Sequence, residues 1–305
     1  MITNNILLKP AILLFALACG LFAGPAAAQG YKPSGVQTAD AAYVFGIHPY
    51  ANPQELFEAY APVMRYLERK IPGARFRVEA AKDYADYEAK LAAGRFHFAM
   101  PNPFQTVVSL EQGYRVIAKM KPDEDFRGLI VARADRRIAS PKQLKGQAVC
   151  FPSATAVAGT MLPLLWLQEH GVDVKRDIQI RYVGSQFSSI LNAYAADAEA
   201  CGSTSRFFRT WSRENPEKAR EMQVLWRTDP LPHNGIVVRK DVDGSVARQV
   251  AQALADMEKE VDQSQFKIDQ AHFELASDKT YEPMREFLRR YDKAIGLPAQ
   301  MKLPK

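Results

Sequence analysis

Val149-Cys150-Phe151-Pro152-Ser153-Ala154-Thr155-Ala156-Val157-Ala158-Gly159-Thr160-Met161-Leu162-Pro163-Leu164-Leu165-Trp166-Leu167 decides the fold. It reads as a short buried strand, a turn of small residues and an apolar helix. The first amides of such a helix have no partner within it and point over the strand end. The helix dipole makes that spot favourable for negative charge. Ser153 and Thr155 either cap the helix or donate to a ligand, and the small side chains let a ligand approach the backbone. One such junction alone also fits an ordinary capped helix packed on a sheet. Recurrence along the chain gives it weight.

On the N-terminal side, Ala42 to Ile47 reads as a strand, followed by the turn His48-Pro49-Tyr50-Ala51-Asn52-Pro53. Asn52 is a helix cap and Pro53 a first helical residue. The helix runs to about Lys70, with Leu56, Tyr60, Val63, Met64, Leu67 and Ile71 at helical spacing. A strand over 75–80, a helix over 84–93 and a strand over 96–100 follow. Pro101-Asn102-Pro103 repeats the cap-then-proline signal, and strands are expected at 114–118 and 126–132. Residues 135–146 form a polar connector. Beyond the central stretch come a strand at 178–183, a helix opened by Gly184-Ser185-Gln186, and a strand at 198–201. Gly202-Ser203-Thr204-Ser205 opens the next helix. Strands at 224–227 and 236–239 and helices at 245–261 and 281–295 complete the chain.

Two blocks, about 42–133 and 146–228, thus read as βαβαβ. This pattern favours mostly parallel sheets with right-handed crossovers. Ligands of open α/β sheets bind outside the carboxyl ends of the strands. The polar small-residue turns at 48–52, 101–105, 152–156, 184–188 and 202–205 all lie there, which points to a cleft between two α/β lobes.

Lys9, the apolar run Ala11 to Ala18 and the small residues Ala26-Ala27-Ala28 make residues 1–28 a secretory signal peptide, cleaved after Ala28. Ala16-Leu17-Ala18-Cys19-Gly20 is a loose lipoprotein box, so anchoring through Cys19 is the rival reading. The periplasm is the expected compartment. The 40 Lys and Arg against 34 Asp and Glu, one lysine of them in the leader, give a mildly basic, scattered surface. That is no nucleic-acid footprint. Cys150 and Cys201 remain in the mature chain, and no Cys-x-x-Cys or histidine cluster offers a metal set. No cofactor is expected.

The chain resembles the periplasmic solute-binding proteins of the type II fold, in the PhnD-like group that serves ABC transporters of phosphate, phosphite and phosphonate. The resemblance rests on Phe45-Gly46-Ile47 with Asn52-Pro53 and Tyr66-Leu67, on Lys82-Asp83-Tyr84, and on Ser140-Pro141-Lys142-Gln143-Leu144-Lys145-Gly146. Gly159 to Pro163 and Pro232 through Arg239-Lys240-Asp241 complete it. It implies two lobes joined by two crossing strands: 40–132 plus 236–305 as lobe 1, and 133–235 as lobe 2. Hinge closure on a small, oxyanionic solute, a permease in the inner membrane as partner, a monomeric state and no catalysis follow from it. Phosphonate binders of this group hold the phosphonate with a Ser-Thr-Ser run. The matching positions here are Ala156, Val157 and Ala158. Their acidic contacts to a ligand amine fall at Ser203 to Ser205 and Asn234, and the aromatic place after the third strand falls at Met100-Pro101. The scaffold transfers, and the aminophosphonate specificity does not.

The expected ligand residues are Tyr50, Tyr84, Asn102, Ser153, Thr155, Ala156, Val157, Ser185, Gln186, Ser203, Thr204, His233 and Asn234. Several carry a second reading: Tyr84 as a packing aromatic, Tyr50 and His48 as an exposed turn, Ser185, Gln186 and Ser188 as caps, His233-Asn234 as hinge. Trp166, Phe207, Phe208 and Trp211 read as core or lobe-surface aromatics. Cys150 and Cys201 fall near the ends of adjacent strands, where a disulfide and two free thiols are both open. A sensor that presents its ligand to a membrane receptor, and an enzyme on the same fold, are the alternative functions. No Ser-His-Asp spacing or paired carboxylates favour the enzyme.

Overall fold

The computed structural model describes residues 42–262 and 272–298. The signal peptide, Cys19 and the C-terminal tail lie outside the described residues. In chain order the elements are β1 (Tyr43–Ile47), α1 (Pro53–Lys70), β2 (Phe76–Ala80), α2 (Tyr84–Ala92), β3 (Phe98–Met100), α3 (Pro103–Glu111) and β4 (Tyr114–Met120). Then come β5 (Gly128–Arg133), β6 (Ala148–Phe151), α4 (Leu162–Glu169), β7 (Gln179–Tyr182), α5 (Gln186–Ala195), β8 (Ala200–Thr204), α6 (Ser205–Glu214), α7 (Pro216–Ala219) and β9 (Met222–Arg227). The last are β10 (Gly235–Arg239), α8 (Gly244–Glu260), β11 (Phe273–Leu275) and α9 (Glu282–Ala294).

Local chemistry accounts for the helices. The Asn52 side chain accepts from the Glu55 amide at 3.0 Å and starts α1. Leu56, Tyr60, Val63, Met64 and Leu67 are then buried on one face. Each large apolar side chain removed from water contributes about 1.5–3 kcal/mol. Asn102 and Gln105 form a reciprocal capping box at the start of α3.

The strands form two sheets, in the orders β11-β4-β10-β3-β1-β2 and β7-β6-β8-β5-β9. Pairs β1–β2, β1–β3, β6–β7 and β6–β8 are parallel, whereas β10, β11 and β5 pair antiparallel with their neighbours. The sheets are therefore mixed, where alternation alone predicts mostly parallel ones. The chain crosses between them at 121–127 and 228–234.

Two lobe assignments change. The strand expected at 126–132 in lobe 1 is β5, which pairs with β8 and β9 in the second sheet. The first crossing thus ends before Gly128. The C-terminal helix α9 does not belong to lobe 1 alone. Its Phe287, Leu288 and Tyr291 share a core with Leu162, Leu165 and Val172 of the second lobe, and Arg290 pairs with Glu169 at 2.7 Å. The strand expected at 198–201 continues to Thr204, so Gly202 and Ser203 belong to β8 and not to a turn. Cys150 and Cys201 are register partners on β6 and β8, with Cα atoms 4.4 Å apart and sulfurs within bonding distance.

Candidate functional site

Between the lobes, at the carboxyl ends of the strands, lies a pocket of about 490 Å³ of empty space, mouth included. Five helix starts meet there. α2 delivers Tyr84, α3 its cap Asn102, and the helix after β6 delivers Ala156, Val157 and Ala158. α5 delivers Gln186, and α6 its cap Thr204 with Arg206. The helix after β6 opens with a π-helical turn, Val157–Met161, in which Thr160 and Met161 both donate to the Ala156 carbonyl. The Ala156 amide donates to the Ser153 carbonyl at 3.1 Å, whereas the amides of Val157, Ala158 and Gly159 precede the first intrahelical donor, and Val157 and Ala158 line the pocket.

Two glycines permit this close approach. A Cβ on Gly159 would lie 2.6 Å from the Gln186 side-chain amide, and one on Gly202 would fall onto the Gly159 carbonyl oxygen. Only glycine lets the helix start sit down on β8 beside the pocket.

The first lobe adds His48 and Tyr50 after β1 and Met120 at the end of β4, and the crossings add Phe126, His233 and Asn234. The His48 ring stands edge-on to Tyr84 at 5.5 Å, and Tyr50 meets Phe207 of the other lobe at 5.2 Å. The Tyr50 hydroxyl donates to that of Tyr60 at 3.1 Å.

Both pocket histidines are neutral. Burial holds His48 down to about 3. Burial, together with the positive charges of Arg206 and Lys119, puts His233 well below its ordinary value. His233 Nδ1 accepts from the Asn234 amide at 2.7 Å, so the proton of the neutral ring sits on Nε2. Burial also raises the Tyr84 phenol, keeping it a neutral donor. Among the described residues, Arg206 is the permanent cation of the lining, and no carboxylate lines it. No group of histidine, cysteine or carboxylate side chains among them could hold a metal.

Of the residues expected from sequence, Tyr50, Tyr84, Asn102, Ala156, Val157, Gln186, Thr204, His233 and Asn234 line the pocket. Ser153, Thr155, Ser185 and Ser203 do not, and for three of them the hydroxyl is spent elsewhere. Ser185 caps α5, accepting from the Ser188 amide at 3.1 Å. Ser203 is buried in β8 and donates to Gln186 Oε1 at 3.5 Å. Thr155 donates to Glu88 at 2.7 Å, with the Ser153 hydroxyl 3.5 Å from its own. Phe207, expected as a core or surface aromatic, is a pocket wall.

Sequence reasoning passed over Met120, Phe126 and Arg206. A signal for Arg206 existed: it is the second residue of α6, where the helix dipole disfavours a cation unless an anion stands nearby.

A family model described as ABC transporter, phosphonate, periplasmic substrate-binding protein matches residues 45–281. The chain belongs to that family of periplasmic substrate-binding components of ABC transporters. Among solved structures it is similar to PhnD1 from Prochlorococcus marinus in complex with methylphosphonate. There the TM-score is 0.74 at 16% identity, over 83% of this chain and 98% of that one. It is also similar to a binding protein component of an ABC phosphonate transporter from Pseudomonas aeruginosa, with TM-score 0.71, 16% identity, and 86% and 90% covered. A Xanthomonas citri protein bound to ATP gives TM-score 0.66 at 17% identity, with 83% and 98% covered. These likenesses fix the two-lobed type II binding fold. No helix among the described residues is long and apolar enough to cross a membrane.

Proposed function

We propose that this chain captures a small phosphorus oxyanion without a cationic substituent, of the kind represented by methylphosphonate, and delivers it to an inner-membrane permease. One observation carries the reading. Arg206 stands at a pocket fed by five helix starts and lined, among the described residues, by no carboxylate. Helix starts and a guanidinium favour negative charge. An ammonium group on the ligand finds no counter-charge among the described lining residues and loses to a neutral methyl, which the Met120, Phe126 and Val157 walls accept. In the Ala156, Val157 and Ala158 turn, the Val157 and Ala158 amides are offered where hydroxyls would otherwise bind, the Ala156 amide being held by the Ser153 carbonyl.

The rest of the reading follows the family. Residues 1–28 are removed on export and leave a free periplasmic monomer, unanchored at Cys19. Cys150 and Cys201 are bonded in that oxidising space. The protein binds and releases its solute unchanged.

Thermal unfolding of the mature chain against methylphosphonate, phosphite, phosphate, 2-aminoethylphosphonate, methanesulfonate and ATP tests this. A ligand at 100 times its Kd stabilises by about 2.7 kcal/mol, a rise of about 5–10 °C for a chain of this size. Methylphosphonate or phosphite is expected to give that rise, and 2-aminoethylphosphonate much less. A larger rise with the amino compound, or none with any phosphorus anion, overturns the reading.

A further inference from the structure

Thr155 is buried in the turn that presents Ala156 to the pocket, yet it faces away from it. Its hydroxyl donates to Glu88 Oε1 at 2.7 Å, and its carbonyl accepts from Asn102 Nδ2 at 2.9 Å. Thr155 follows β6 of the second lobe, whereas Glu88 lies in α2 and Asn102 caps α3 of the first. Both bonds therefore span the cleft. Their first-lobe ends are held from behind. Gln105 donates to Glu88 at 3.0 Å, accepts from the Asn102 amide at 3.1 Å, and gives its own amide to Asn102 Oδ1 at 2.9 Å. Asn102, Gln105 and Thr155 are 2%, 1% and 3% exposed. These groups exchange bonds with one another in the closed arrangement and must find water when the lobes part.

We propose that Thr155, Glu88 and Asn102 form an interlobe latch that sets how tightly any ligand is held, with the Thr155 side chain touching none of them. The proposal rests on the closure reading above, and not on the identity of the solute. A contact made only between closed lobes lowers the free energy of the closed state, and apparent affinity scales with the population of that state. Because the Thr155 hydroxyl meets no ligand, its removal weakens all ligands by one common factor. A group that touches the solute would change their ranking. Glu88 is the stronger end: a carboxylate acceptor makes a charge-assisted bond, worth more than a neutral one.

The test compares wild type with Thr155→Val, Thr155→Ser and Glu88→Ala. Thr155→Val removes the hydroxyl bond and keeps the carbonyl bond, and Thr155→Ser keeps both. Calorimetric titration with methylphosphonate, phosphite and phosphate is expected to show Thr155→Val and Glu88→Ala weaker by about tenfold, by the same factor for each anion that wild type binds. Thr155→Ser should stay within twofold. Unchanged affinities, or a loss confined to one anion, overturn the latch. Thermal melts guard against misfolding, and Glu88→Ala, at a half-buried position, is the safer of the two losses. If wild type binds none of these anions, the proposed ligand class falls and small-angle scattering decides the latch alone. A larger radius for Thr155→Val than for wild type and Thr155→Ser supports it, and equal radii overturn it.

Discussion

The two lobes bring helix starts to one pocket but furnish it differently. The first lobe contributes neutral, bulky groups: His48, Tyr50, Tyr84 and Asn102. The second contributes the small-residue turn Ala156 to Ala158, the Gln186 amide, Thr204 and the Arg206 guanidinium. On the function proposed above, the second lobe is the seat for charge, made of backbone and the Arg206 guanidinium. The first is a lid of rings. A shared strand–turn–helix plan does not determine which lobe binds. The residues at the helix starts determine it.

The largest effect should come from filling the gap beneath the seat. Gly202→Ala drives its new methyl into the Gly159 carbonyl and the Phe151 ring. A loss of about 3 kcal/mol, read as a drop of about 6–12 °C in Tm, is expected, with ligand binding abolished. Next, Arg206→Ala should weaken any bound oxyanion about 100-fold with the fold retained, as titration calorimetry and circular dichroism would report. If His48→Ala costs more affinity than Arg206→Ala, the seat and the lid are assigned the wrong way round.

The lid predicts an acid sensitivity. His48 has an ordinary value of 6.5 and is pushed down to about 3 by burial, and His233 is lowered too. The unfolded chain takes up protons that the fold refuses, so stability is complete above about pH 6.5 and falls as the solution is acidified below it. Urea melts at pH 7.5 and at pH 5.0 should show that fall, and His48→Gln should make it shallower. The smallest effect is expected from Tyr84→Phe, which removes one neutral donor from the lid and should cost about three- to fivefold in affinity. A much larger loss would give the first lobe a holding role.

Much of this pocket was legible in the sequence, because helix caps are local chemistry. Asn102, Gln186 and Thr204 were found through the cap-and-turn signals that place them at the pocket. What escaped depended on distant chain. Gly202-Ser203 reads as a turn by composition, yet β5 and the helix after β6 hold it in a buried strand. Arg206 was hidden in Ser205-Arg206-Phe207-Phe208-Arg209, which looks like an ordinary amphipathic helix. Its helix-start position was the clue. Nothing local says that Thr155 meets Glu88, because their pairing requires two lobes to face each other.

The place of β10 in the first sheet has a consequence for the order of assembly. This strand sits between β3 and β4, with Val237 opposite Ala99 and Val116. The strands of the second sheet, by contrast, all come from the uninterrupted run 128–227. A chain made from its amino end has the whole second sheet in hand while the first still lacks its centre. Loop closure over such a span is costly until its contacts reward it. The lobe that begins the chain is therefore the one whose sheet is expected to be completed last.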